Sequence, residues 1–292
     1  MTVVFHIDGG LGKHILATAI LKVIRKAHPK DIIHVVCNYP DVFKHNPAVD
    51  YVHQNGEHGP FYKTYIYNRE ADCKLYFTDP YTHTDFILEQ DHLLNIWCKQ
   101  WELKYNGEAP QIYLTQAEID YFRPFYKTEK PILAIQPNGG PVGQEYNYSW
   151  TRDIPESTVL RVIEEFKDDY SIVHIKRKDQ KIYPNTLQAL DGFRSIAILL
   201  QLAEKRLLID SFSQHLAASF ALPSTVCWIT TKPEIYGYTL HKNIKANQFT
   251  LQVDFQKNLY QPFALSQDIS SCAYFKQEDV FDDDQIIKSL KS

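Results

Sequence analysis

Short apolar runs alternate along this chain with stretches of helical period. Val3-Val4-Phe5-His6-Ile7 reads as a strand, and Asp8-Gly9-Gly10-Leu11-Gly12 as a tight loop. Leu16, Ile20, Leu21 and Ile24 then fall on one helical face that ends near His28-Pro29. Ile32-Ile33-His34-Val35-Val36-Cys37 is almost continuously apolar, as a strand covered on both faces must be. Strand, glycine loop, helix, strand over this length predicts a right-handed crossover unit of a parallel sheet. A turn and short strand follow around Asn46–Val52, an edge strand at Lys74-Leu75-Tyr76-Phe77, and a helix carrying Leu93, Leu94, Ile96, Trp97 and Trp101. Thr115-Gln116-Ala117-Glu118 has the capping-box pattern of a helix start.

Tyr126-Lys127-Thr128-Glu129-Lys130-Pro131 is polar, ends in proline and reads as a linker; beyond it the same grammar restarts. Ile132-Leu133-Ala134-Ile135 is a strand and Gln136-Pro137-Asn138-Gly139-Gly140-Pro141 a second glycine loop. A helix opens at Pro155-Glu156-Ser157, and strands follow at Ile172–Ile175, Leu207–Ile209 and Val226–Ile229. Two alternating halves imply an α/β protein of two Rossmann-like domains with parallel sheets facing across a cleft, the default place for a ligand. The expected division is residues 1–128, residues 129–278, and a final helix within 279–292 that could pack back on the N-terminal domain.

Composition narrows this picture. With 292 residues, 44% hydrophobic and 23% charged, the chain can bury a substantial core, and a net charge of -4 argues against broad affinity for nucleic acid. No apolar run reaches membrane-span length, and Met1 leads straight into a strand rather than a signal peptide, so a cytoplasmic location is expected. The five cysteines (Cys37, Cys73, Cys98, Cys227, Cys272) are scattered and without metal-ligand spacing, so they read as reduced thiols, and the sequon at Asn147 is then idle. The one D-x-D, in Asp282-Asp283-Asp284, reads as a solvated helix cap, and no metal is expected.

The standard nucleotide motifs fail. Gly10-Leu11-Gly12 lacks the third glycine of G-x-G-x-x-G, and Gly12-Lys13 lacks the first glycine and the Ser/Thr of the phosphate loop. The informative stretch is Asp210-Ser211-Phe212-Ser213-Gln214-His215, where the strand Arg206–Ile209 gives way to a helix stopped by Pro223. Unpaired N–H groups and the positive dipole end suit such a junction to phosphate, and His215 can add a donor. The plain alternative is an ordinary N-cap with an exposed histidine.

Three stretches together resemble glycosyltransferase family 9, the heptosyltransferase-like enzymes of GT-B fold. Gly9-Gly10-Leu11-Gly12-Lys13-His14-Ile15-Leu16-Ala17-Thr18-Ala19 is similar to that family's G-G-x-G-D-x-L-x-A-T-P. Gln136-Pro137-Asn138-Gly139-Gly140, with Trp150 downstream, resembles its post-linker glycine loop and W-P segment. Asp210-Ser211 with His215 resembles its D-S/T-G-x-x-H, and Thr231-Lys232-Pro233 follows the next strand. The resemblance implies a metal-independent, inverting transfer of sugar from a nucleotide-sugar, ADP-heptose-like, to a glycan or lipid-linked glycan hydroxyl, with no cofactor beyond that co-substrate. It places the donor in the C-terminal domain at Asn138, Gly139, Gly140, Asp210, Ser211 and His215, with Arg152, Lys176 and Arg177 as cations. The acceptor-side loop would be Gly9, Gly10 and Gly12, with Asp91 nearby.

The departures leave the acceptor's base open. Lys13 stands where the family carries its aspartate, Ala19 replaces a proline and Phe212 a glycine. A protonated lysine cannot take a proton, although it can bind phosphate, so Asp8, His14 and Asp91 become the alternatives. A nucleotide- or glycan-binding protein that has lost catalysis, a sugar-nucleotide epimerase, and a transferase acting on modified nucleic acid remain competing readings. The aromatic segment Phe61, Tyr62, Tyr65, Tyr67, Tyr76, Phe77 and Tyr81 could stack on sugars or bases, or simply be core. Peripheral membrane contact also stays open.

Overall fold

The computed structural model describes residues 1–56, 59–67, 72–140, 149–251 and 274–292. The chain divides into Met1–Thr115 and Gln116–Ser292, each built on a parallel sheet. Pro141, Asn147 and Cys272 lie outside the described residues, as does the side chain of Trp150.

In the first unit β1 (Thr2–Ile7) leads through Asp8-Gly9-Gly10 into α1 (Leu11–Ala27), and β2 (Ile32–Cys37) pairs parallel with β1. β3 (Tyr51–Gln54), the short α2 (Gly59–Phe61), β4 (Cys73–Tyr76), α3 (Thr84–Ile87) and α4 (Leu93–Lys99) follow, giving the strand order β3-β2-β1-β4. Gly9 adopts φ +95, and a Cβ there would stand 3.3 Å from Cδ of Lys13, so glycine serves both the turn and the path of the lysine stem. Alternate residues of β1 face opposite ways. Phe5 packs edge-on against Trp97 and Trp101, with ring centroids 5.9 and 5.6 Å away. Val4 on the other face, with Val36, packs against Tyr62, beside Phe61 and Tyr65. Much of the aromatic segment is therefore the second cover of the sheet, whereas Tyr67 and Phe77 stay exposed.

The second unit opens with α5 (Gln116–Phe122), ahead of the expected linker, because Glu118 is held by the buried Arg194 at 2.7 and 2.8 Å on α7 (Phe193–Leu202). Between these come β5 (Ile132–Ile135), α6 (Glu156–Phe166), β6 (Ser171–His174) and β7 (Leu187–Gln188). After α7 come β8 (Lys205–Ile209), α8 (Phe212–Ser219), β9 (Thr225–Trp228), α9 (Pro233–Tyr236), β10 (Lys242–Lys245) and α10 (Asp283–Lys291). The strand order β10-β9-β8-β5-β6-β7 is the doubly wound arrangement, with its reversal between β5 and β8. Asp282 caps α10 by accepting from the N–H groups of Asp284 and Gln285, as the acidic tail predicts. Ile286, Ile287 and Leu290 of this helix sit in the core of the second unit with Ile163, Phe166 and Cys227.

Candidate functional site

Open parallel sheets bind ligands outside the carboxyl ends of the strands where the order reverses. In the second unit that point lies between β5, which runs into Gln136, and β8, which runs into Asp210-Ser211. The buried Gln136 ties the two ends together: its amide donates to Ser211 Oγ at 3.2 Å and its carbonyl oxygen accepts from Ser213 Oγ. Ser211 is extended, and its side chain makes no cap bond to α8. The helix therefore begins at the carboxyl edge of the sheet with no side-chain cap at its positive end, the Gln214 N–H bonding the Ser211 carbonyl at 3.3 Å. Arg152 is fixed at the same place, donating from Nη1 to the Asp210 carbonyl oxygen at 2.6 Å, with Oδ2 of that residue 3.4 Å away. Asp210, Ser211 and Arg152 are thus brought together.

His215 lies one turn into α8, only 4% exposed, with Nδ1 2.9 Å from the Tyr238 hydroxyl. Asn138 and Gly139 are held internally. Asp153 accepts from Asn138 Nδ2 at 3.0 Å and from the Gly139 N–H at 2.6 Å, and Gln180 donates to the Gly139 carbonyl at 2.7 Å. Burial pushes the Asp153 carboxyl up to about 6, against the pull of the Gly139 N–H, the Asn138 amide and Arg152. The Gly139 N–H of the loop expected near the donor thus has a carboxylate partner. Gly140 closes the same loop. Lys176 and Arg177 stand in the loop after β6, where Lys176 donates to the Arg177 carbonyl at 2.7 Å and Arg177 pairs with Asp179 at 3.1 Å. No described bond carries either to the Asp210 junction. Sequence reasoning named Gln136 only as part of its loop and missed Asp153, Gln180 and Tyr238; all four act through contacts distant in the chain and carry no periodic signal.

In the first unit the reversal lies between β1 and β4. His14 is fully buried; Nδ1 bonds the Gly10 carbonyl at 2.9 Å and Nε2 accepts from the Asn38 N–H at 3.2 Å. Burial drives its pKa down to about 4. With both nitrogens engaged, it pins the start of α1 and is not placed to take a proton. Lys13 is 7% exposed, pairs with Asp79 at 3.1 Å and lies over the rings of Tyr81 and Trp97. Gly10 forms the N-cap of α1, and Gly12 falls within the helix rather than the loop.

Asp91 accepts from Lys99 Nζ at 2.8 Å, the His92 N–H at 2.8 Å and Asn95 Nδ2 at 2.5 Å. Burial pulls its pKa up, but those three bonds outweigh it and hold the carboxyl below the usual range. It braces α4. Asp8 remains half exposed at the end of β1, accepting from Asn55 Nδ2 at 2.9 Å.

No protein-family model and no curated protein matches the sequence. Solved structures do match. A glycosyl transferase of family 9 from Veillonella parvula superposes with a TM-score of 0.70 at 15% identity, covering 99% of this chain and 96% of that one. The E. coli ADP-heptose LPS heptosyltransferase II gives 0.69 at 11% identity, covering 100% and 98%. This chain has the family 9 glycosyltransferase fold. E. coli heptosyltransferase WaaC with ADP gives 0.56 at 12% identity over 85% of this chain and 91% of that one. Both units take part in the likeness, so the family 9 fold accounts for the two sheets and their reversals alike. Among the described residues no helix is long and apolar enough to cross a membrane.

Proposed function

We propose that this protein is a glycosyltransferase that moves a sugar from a nucleotide-sugar, of ADP-heptose type, to a hydroxyl acceptor with inversion at the anomeric carbon. The observation that carries this reading is the uncapped start of α8 at the switch point of the second sheet, with Arg152 fastened beside it. In the transfer, the bond from anomeric carbon to diphosphate oxygen breaks with its electron pair as the acceptor oxygen forms the new bond. Charge grows on the departing diphosphate, where the helix N-terminus and the Arg152 guanidinium stabilise it without calling for a metal. The acceptor proton goes to a general base; of the sequence candidates Asp8 is the exposed carboxylate, whereas His14 and Asp91 are tied into the scaffold.

Thermal shift with ADP-, GDP-, UDP- and CMP-sugars, followed by donor hydrolysis with and without chelator, tests the reading. An ADP-sugar is expected to stabilise the protein, and Arg152→Ala to weaken that binding about tenfold, or about 1.4 kcal/mol. Absence of a shift with every nucleotide-sugar overturns it. A second reading, a binding protein without turnover, is favoured by the lysine at position 13, whose ammonium is already paired. Donor binding with neither hydrolysis nor transfer would select it.

A further inference from the structure

His34 on β2 and His53 on β3 lie on the face of the first sheet that residues 59–67 cover. His34 Nδ1 and His53 Nε2 are 2.9 Å apart, while the ring centroids are 5.2 Å apart and the planes 15° from parallel. At that centroid separation the nitrogens come so close only if both lie on the line joining the rings. Their lone-pair directions therefore meet head-on with room for one proton between them, whereas a shared metal ion needs them to converge on a point off that line. The cover rests on this pair. The Phe61 ring stacks on His53 at 4.3 Å and lies 5.2 Å from His34, and the Tyr65 ring lies 5.7 Å from His34. Tyr62 of the same cover accepts from the Gly56 N–H at 3.0 Å and donates to Asn55 Oδ1 at 2.5 Å.

We propose that the His34–His53 pair is an acid-sensitive latch on residues 59–67, holding the cover with up to one added proton and releasing it on taking a second. In the neutral pair one facing nitrogen donates and the other accepts. A first added proton goes to an outer nitrogen and makes the facing bond charge-assisted, which strengthens it. A second puts an N–H on both facing nitrogens and a positive charge on both rings, so the bond is replaced by repulsion. The pair therefore titrates as a unit in two separated steps. Among the described residues, the polar and charged groups around it are few. Asp50 draws protons toward His34 but is already held by Arg25 Nη2 at 2.6 Å and the Ile33 N–H at 2.7 Å. Tyr51 stacks on His34 at 4.9 Å, and the Cys73 thiol beneath the cover donates to the Tyr65 carbonyl at 3.3 Å. Lys63, the cation on the cover, is exposed. Burial outweighs Asp50 and pushes His34 below its ordinary 6.5, which sets the direction of the second step. Release also loosens Tyr62 from Asn55, the residue that donates to Asp8 at the end of β1.

Long-range proton–nitrogen NMR of the histidines in the full chain, with hydrogen exchange over residues 59–67, tests the latch. Between pH ~7.5 and pH ~4.5 the pair is expected to titrate in two steps at least about one pH unit apart, a tenfold difference in proton affinity. Protection factors of the 59–67 amides should fall about tenfold across the lower step while β1 and β2 stay protected. His53→Phe keeps a ring under Phe61 but cannot take the second proton, so its cover should lose less than about twofold. Should that variant not fold, His34→Gln serves, because its amide can donate to the same His53 nitrogen and stays neutral. Independent single-step titrations, a cover equally protected at both ends of the range, or loss only together with β1 and β2 would each overturn the latch. So would a folded variant whose cover opens in acid as the wild type's does. No nucleotide-sugar enters the experiment, so its outcome is separate from that of the transferase reading.

Discussion

The Lys13 ammonium and the Asp79 carboxylate lie 3.1 Å apart, yet they are unequally buried, at 7% and 47% side-chain exposure. That asymmetry makes their removal unequal. Asp79→Ala strands a buried charge and deletes the acceptor for the Tyr81 N–H, so it should cost about 3 kcal/mol. Lys13→Met keeps the volume between Tyr81 and Trp97 and leaves a carboxylate that water can solvate, so it should cost about 1 kcal/mol. Urea unfolding of both variants checks the order, and equal costs would contradict it. Lys13→Asp, attractive from the sequence as a restored base, is expected to destabilise by setting a second carboxylate beside Asp79.

Acid should unfold this protein well above the carboxylate range. His14, His174 and His241 are held near pKa about 4 by burial, against 6.5 when exposed. Between those values the unfolded chain binds protons that the folded one refuses, so stability is lost as pH falls from 6.5 toward 4, by at most roughly 3 kcal/mol per group. Both ring nitrogens of His174 lack a hydrogen-bond partner. His174→Leu should therefore stabilise by about 1–2 kcal/mol, and by more at pH ~5 than at pH ~8. A pH-independent effect in chemical denaturation would refute that account.

Asp153 works in the opposite sense. Its folded pKa of about 6 lies above the ordinary 3.8, so it contributes stability at low pH that disappears as pH rises through about 6. Asp153→Asn should be tolerated to within about 1 kcal/mol, because Oδ1 can still accept from Gly139 and the unpaired Asn138 Oδ1 can accept the new amide. The variant should lose more stability than wild type on going from pH 7 to pH ~4.5, having shed the term that opposes the histidines. Identical pH profiles would remove Asp153 from this role.

The alternation of apolar runs and helical periods made both sheets legible, because strand and helix periods are local properties of the chain. The Asp210-Ser211 junction was legible for the same reason: a polar pair between a buried strand and a periodic helix has one place to sit. The glycine loops were found too, but their hydrogen bonds were not: the Gly139 N–H is held by Asp153, in an irregular stretch, and both nitrogens of His14 by Gly10 and Asn38.

By itself, then, the sequence determined two parallel α/β units and the position of their strand ends, since period-two and period-3.6 patterning must bury the faces it marks. Only the tertiary structure decided which polar groups at those ends are occupied and which remain available. A hydrogen bond is settled by partners far apart in the chain, as Gln136 with Ser211 and Asn55 with Asp8 are, and no local pattern records that choice.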